Sequence, residues 1–298
     1  MMYFDLLVGT CTQGFIYALL SYGIYITYKI LDFPDLTVDG SFPLGAAITA
    51  VALIKGIDPY VSLLIATFFG CLAGLVTGYI HVKLGVRDLL AGIITMTALF
   101  SINLQIAGAN LAIDRSVDTI FSAPLTNLVF GSFSLMYTKF FVSLILVIGM
   151  KFVLDWYLNT KNGLLLRAVG DNSTLVTTLA EDKGKMKIMG LVIANGFVAL
   201  SGGVVAQEQR AFSSTMGTGQ MIFGLATVII GTTIFKRFGS VKGTSMVLVG
   251  SILYKLCIQI AITMGLPANL LRLITALLFL VVLVLGDRKK GGQTYAKA

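Results

Sequence analysis

Residues able to do chemistry are few in this chain, and they gather where apolar runs break. Asp32-Phe-Pro34-Asp35-Leu-Thr37-Val-Asp39-Gly40-Ser41-Phe-Pro43 sets three carboxylates beside two hydroxyls. Pro34 and Pro43 argue against regular helix through this segment, because each lacks an N–H and disfavours helical backbone before it. Two uses fit together: Asp39 or Ser41 caps a helix opening near Pro43, and the same groups line a polar route. A rival use is a coupling-ion site made from Asp32, Asp35 and Asp39. A counterpart follows at Gln207-Glu208-Gln209-Arg210 and Ser213-Ser-Thr-Met-Gly217-Thr-Gly219-Gln220. Glu208 and Arg210 read as a solvated ion pair or as solute contacts. The amides Asn103, Gln105, Asn195 and Gln259 interrupt apolar stretches, as interhelical glue or as solute contacts. The candidate route is Asp35, Thr37, Asp39, Gly40, Ser41, Asn103, Asn195, Glu208, Gly217 and Gly219.

Covalent chemistry finds no foothold. The chain contains no G-x-x-x-x-G-K-[ST] loop, no nucleophile elbow, no zinc helix and a single histidine, His81, at the end of an apolar run. Cys11, Cys71 and Cys257 sit inside apolar stretches without paired spacing and read as small packing residues. No catalytic or metal-binding residue is assigned, and the energy for uphill movement of a solute would have to come from another chain.

These residues must be positioned by elements that live in lipid. Of 298 residues, 56% are hydrophobic and 12% charged, and mean hydropathy is +0.90. One water-soluble core cannot hide that much apolar surface. The net charge of +8 would suggest nucleic acid in a soluble protein, but Lys and Arg fall mostly in short loops and in the tail Arg288-Lys289-Lys290, where they orient helices, so nucleic acid is not an expected partner. Runs of roughly 20 apolar residues predict spans at 4–28, 43–54, 60–80, 88–108, 137–157, 187–206, 221–236, 243–264 and 269–286. The fold class is all-α: a polytopic membrane protein of about 8–10 helices, some short or broken. The basic loops after spans three, five, seven and nine predict a cytoplasmic C terminus and an outside N terminus.

A weak internal repeat relates Gly14-Phe15-Ile-Tyr-Ala18-Leu19 to Gly196-Phe197-Val-Ala199-Leu200. It also relates Asp39-Gly40-Ser-Phe-Pro43-Leu-Gly45 to Thr218-Gly219-Gln-Met-Ile-Phe-Gly224. The expected organisation is one transmembrane domain over 1–298, with inverted repeats at 4–108 and 187–286 and a cytoplasmic loop at 158–187. Gly70-x-x-x-Gly74-x-x-x-Gly78 predicts a close helix approach.

Within that loop, Asn162-Gly163-Leu164-Leu-Leu166-Arg167-Ala168-Val-Gly170-Asp171-Asn172 is too short for a domain and mixes apolar residues, one arginine and helix-starting groups. Taken with Met189-Gly190 to Gly202, Met216-Gly217 to Gly231 and Leu36 to Gly45, it resembles the permease subunit of bacterial ABC importers of the branched-chain amino acid and ribose permease superfamily. Within that superfamily it is most similar to the tryptophan/tyrosine-type branch. The resemblance implies a multi-pass subunit of the bacterial plasma membrane that pairs with a second permease copy. It also implies a cytoplasmic ATPase dimer, which binds the ATP while the permease holds no cofactor, and an extracytoplasmic solute-binding protein. The family's coupling element corresponds to Gly163 through about Leu179, carrying Gly163, Leu164, Leu166, Arg167, Ala168, Gly170, Asp171 and Asn172. Leu164 to Leu166 and Val169 would fill a groove on the ATPase, Gly170 would make a sharp turn, and Asp171 or Asn172 would cap the next helix. Thr232 stands where an acidic residue is expected, and Glu181-Asp182-Lys183-Gly184 is unusually charged. The branch implies an amino acid, an aromatic one included, with nucleosides and sugars as alternatives.

Overall fold

The computed structural model describes residues 2–131, 133–171, 182–235 and 241–265, with isolated helical positions at 273, 276, 277 and 280. The long helices are α1 (Met2–Ile24), α2 (Val38–Ile54), α3 (Pro59–Val82), α4 (Asp88–Ala107), α6 (Leu135–Leu158), α8 (Lys183–Gln209), α9 (Gln220–Ile234) and α10 (Gly243–Thr263). Two short helices join them, α5 (Pro124–Phe130) and α7 (Lys161–Asp171). Among the described residues, seven helical stretches are long and apolar enough to cross a bilayer, and α2 is a shorter apolar helix. The last expected span, 269–286, lies largely outside the described residues, as does the tail.

The core is α8. It is buried along most of its length, with α3 along one side, α2 along another and α1 beside them. The expected glycine seam is what lets α3 in. A methyl group added at Gly70 would meet Ala199 and the Asn195 carbonyl, one at Gly74 would meet the Leu191 carbonyl, and one at Gly78 would press on Ile188. With no side chain at these positions the two backbones touch, which is how helices gain dispersion energy where lipid offers no hydrophobic drive. α10 lies along α1 as α3 lies along α8.

Three boundaries differ from the sequence reading. α1 does not stop cleanly: Tyr25–Ile30 forms a π-helical turn, with Leu31 N–H donating to the Ile26 carbonyl, before the chain breaks at Asp32. α2 opens at Val38 and runs through Pro43, so Pro43 is inside the helix and not its start. The carbonyl its ring would cross, that of Asp39, lies in the first turn, and the approach of Gly217 to both Asp39 and Pro43 packs the distorted stretch from outside. The stretch after α4 also gains structure: β1 (Asn110–Ala112) pairs antiparallel with β2 (Ala211–Ser213), Leu111 opposite Phe212. This ribbon ties the loop after α4 to the loop after α8. Strands of three residues leave no readable alternation.

Candidate functional site

Each break is held by side chains, and the first holds itself to the core helix. Asp35 accepts from the Thr37 backbone N–H at 2.9 Å, which turns the chain into α2. Its other oxygen accepts from Asn195 Nδ2 on α8 at 2.8 Å, and Asn195 Oδ1 accepts from the Ser41 hydroxyl at 2.7 Å. The Thr37 hydroxyl meets the Thr77 hydroxyl of α3 at 2.8 Å, and Asn103 of α4 donates to the Gly40 carbonyl at 3.1 Å. Asp35, Thr37, Ser41, Asn103 and Asn195 are all buried. At this depth each polar group needs a partner or costs about 1–3 kcal/mol, and the knot supplies nearly every one; Asn103 Oδ1 alone among these is unpartnered.

The second break is held by the first. Asp39, in the first turn of α2, does not cap its own helix: its carboxylate accepts from the backbone N–H groups of Gly219 at 3.0 Å and Met221 at 2.8 Å, at the N terminus of α9. A negative charge at that positive helix end is favourable on electrostatic grounds as well. Gly219 has φ +84°, a left-handed turn that a side chain would strain, and Gly217 has no room for one beside Asp39. Two breaks far apart in sequence therefore form one joint among α2, α3, α8 and α9.

The expected capping of α2 by Asp39 or Ser41 is thus corrected. The candidate route residues Asp35, Thr37, Asp39, Gly40, Ser41, Asn103, Asn195, Gly217 and Gly219 come together as a closed knot in which Asn103 Oδ1 is left without a partner. Asp32 is exposed with φ +52°, Asp35 turns to Asn195 and Asp39 to α9, so the three carboxylates do not converge on an ion. No group of three or more potential metal ligands occurs among the described residues.

Glu208 lies apart from the knot. It pairs with Lys139 of α6 at 2.9 Å and not with Arg210, whose guanidinium donates to the carbonyls of Asp114 and Val117 at 2.8 and 2.9 Å. The expected Glu208–Arg210 pair is absent because Arg210, at φ +53°, ends α8 in a left-handed turn and points to the 114–117 loop. Backbone and hydroxyl donors of Ser116 hold the Asp114 carboxyl below the usual carboxylate range. Gln207, buried beside Glu208, bridges Ile120 N–H to the start of α3 at Pro59 and Ser62.

At the other end stands α7. Leu166 and Val169 are buried in the bundle, and Gly163 packs on the end of α6. Gly170 is helical and not a turn: a methyl group there would strike the Ile30 carbonyl, so the last turn of α7 sits directly on the π-helical end of α1. Leu166 and Leu31 together fill the space over Gly190 of α8. Leu166 and Val169 thus root the helix and are not available to a partner's groove, while Leu164, Arg167 and Asp171 are exposed. Ala168 is partly exposed. Asn172 and the remainder of the expected coupling element lie outside the described residues. Arg167, Lys29 and Lys242 face a cavity of about 410 Å³ that Tyr25, Asp155 and Asp171 also line. Asp182, which opens α8, accepts from the N–H groups of Gly184 and Lys185, and these hold its carboxyl below the usual range.

Sequence reasoning passed over Lys255. It stands near the middle of α10, its ammonium 3.5 Å from the centre of the Tyr17 ring and 5.1 Å from that of Phe223. No hydrogen bond to it occurs among the described residues, and the carboxylate whose charge acts on it is that of Glu208. A cation at the centre of a span costs about 2.5–3.5 kcal/mol, which desolvated ring contacts worth about 2 kcal/mol offset only in part. The signal was available: one lysine in an otherwise apolar stretch of more than ten residues.

A bundle of apolar helices with two interlocked breaks and a helical knuckle at one end suits a subunit that spans a membrane. The chain belongs to the family described as branched-chain amino acid transport system / permease component, which it matches over residues 6–283. It is 40% identical over 281 residues to the tyrosine transport system permease protein of Clostridioides difficile (strain R20291), covering 94% of this chain and 91% of that one. It is 27% identical over 220 residues to the probable branched-chain amino acid transport permease protein LivH of Methanocaldococcus jannaschii, covering 70% and 68%. The ribose import permease protein RbsC of Haemophilus influenzae is 24% identical over 243 residues, covering 80% and 73%. The chain is a multi-pass membrane permease of an ABC-type importer, and its family is one of transport subunits and not of enzymes.

Proposed function

We propose that this permease carries an aromatic amino acid across the bacterial plasma membrane, driven by a separate cytoplasmic ATPase dimer that grips α7. A second permease copy and an extracytoplasmic solute-binding protein complete the importer. The knuckle and the C terminus face the cytoplasm, and residues 4–108 and 187–286 form inverted repeats around the joint. The tyrosine permease relative supports the solute class. The seating of α10 on α1 and of α3 on α8 supports the repeat.

The observation that carries the mechanism is the root of α7. An inward or outward tug on its exposed face, Leu164 and Arg167, passes through Gly170 and Leu166 to the π-turn, Leu31 and Gly190. Seven residues beyond Ile30 lies Thr37, so the same displacement reaches the Asp35–Asn195 knot and, through Asp39, α9. Closing and opening the joint exchanges which side of the membrane the route faces. A secondary transporter would need the three carboxylates to share an ion, and they diverge.

The test is Arg167→Glu in the reconstituted importer. The variant should reach the membrane and melt within about 0.5 kcal/mol of the parent, as expected of an exposed residue, while L-tyrosine uptake per ATP hydrolysed falls at least tenfold. Uptake still coupled one-for-one as in the parent would overturn the assignment of α7. Uptake driven by an ion gradient without ATP would overturn the importer reading itself.

A further inference from the structure

Resting on that reading, we propose that Lys255, Gln220 and the rings of Tyr17 and Phe223 form a solute-binding station within the permease, where Lys255 takes the α-carboxylate of an aromatic amino acid. Four helices converge there. Tyr17 of α1 stacks with Phe42 of α2 at 6.0 Å and tilts against Phe223 of α9 at 5.0 Å, and Phe223 meets Tyr254 of α10 edge-on at 4.8 Å. Lys255 lies over the rings of Tyr17 and Phe223. Gln220, at the opening of α9, donates to the Met216 carbonyl, and its Oε1 is buried with no partner.

Three chemical features are thus left unsatisfied or open in one place. An ammonium has three N–H donors, and ring faces satisfy its charge without accepting along those directions. A carboxylate accepts along them with charge-assisted bonds that are strongest away from water. The orphan Gln220 Oε1 is an acceptor suited to an amino group or a phenolic hydroxyl. The aromatic faces suit a ring in offset or edge-on contact. The complement of these is a zwitterion with an aromatic side chain.

Access is in place as well. A cavity of about 560 Å³ lies between α1, α6 and α10, with Gln13, Gln259, Glu208 and Lys139 among its lining. That volume suits a small-molecule site. Gln13 precedes Tyr17 by four residues and Gln259 follows Lys255 by four, so each pair shares a helix face. The cavity therefore opens one turn above the station along the same seam. The joint formed by Asp39 and Gly219 begins one residue before Gln220, so movement of α9 that opens the joint also moves the acceptor.

The experiment uses the permease–ATPase complex in nanodiscs, without binding protein, and measures binding of tritiated L-tyrosine with competition by tyramine, which lacks the carboxylate. The parent should bind L-tyrosine and prefer it to tyramine at least tenfold. Lys255→Met should abolish that preference, Lys255→Arg should keep most of it, and Gln220→Leu should weaken L-tyrosine binding. Equal competition by tyramine in the parent overturns the proposal, and this arm needs no variant to fold. So does parental affinity and preference in Lys255→Met. L-Tyrosine uptake by the full importer with no binding to this complex overturns the station but leaves the proposed function standing, whereas absence of uptake overturns both.

Discussion

At the scale of single residues, the structure turns on amides and carboxylates that bridge elements. Asn195 serves Asp35 and Ser41 at once, so Asn195→Leu leaves both buried without their partner. A loss of about 2–5 kcal/mol follows from two orphaned groups, read as a lower melting temperature in detergent. Asp39→Asn keeps an acceptor for α9 and should cost less than Asp39→Ala. Asp182 gives a pH signature. Its folded-state pKa is depressed, so its contribution is present above the unfolded value near 3.9 and fades as pH falls through the lower folded value. The difference in melting temperature between the parent and Asp182→Ala should shrink as pH drops from about 5 to 3. Asp32, Asp35 and Asp39 were visible in the sequence as a group. Their divergence was not, because it depends on which neighbouring helix each meets.

At the scale of elements, small residues decide which helices touch. Gly74→Val drives a branched Cβ into the Leu191 carbonyl, and overpacking in a tight core costs about 1–3 kcal/mol or more. It should deplete folded permease from membranes. Gly149→Ala in α6, where an added methyl meets nothing, should be neutral or stabilising. The glycine seam on α3 was legible from its spacing, and the spans at 60–80, 88–108 and 187–206 from hydropathy. The start of α2 was not, since Pro43 argues for a boundary that packing by Gly217 overrides. Nor was the split in α7 between buried Leu166 and exposed Leu164: a run of three leucines says nothing of which faces inward until the helix is docked.

For the whole molecule, the testable quantity is sidedness. With Cys11, Cys71 and Cys257 replaced, an impermeant maleimide applied to intact cells should label Arg115→Cys, in the loop beyond α4, and spare Asn162→Cys at the start of α7. Both positions are exposed. The reverse pattern would invert the permease and place the knuckle where no ATPase can reach it. Basic loops predict this orientation, and the two polar breaks were visible in the sequence. Hidden from the sequence was that the two breaks grip each other, since a carboxylate on α2 meeting amides of α9 is a pairing 180 residues apart.

The wide turn at Tyr25–Ile30 amounts to one residue more than an ordinary helix would need to cover the same ground. If that stretch tightens into regular helix, everything beyond it must swivel by about 100°, and Asp35 can no longer face Asn195. The turn is thus a stored increment of rotation placed directly beneath α7, and shortening the chain by one residue there should give regular helix that keeps Asp35 on Asn195 but can no longer swivel.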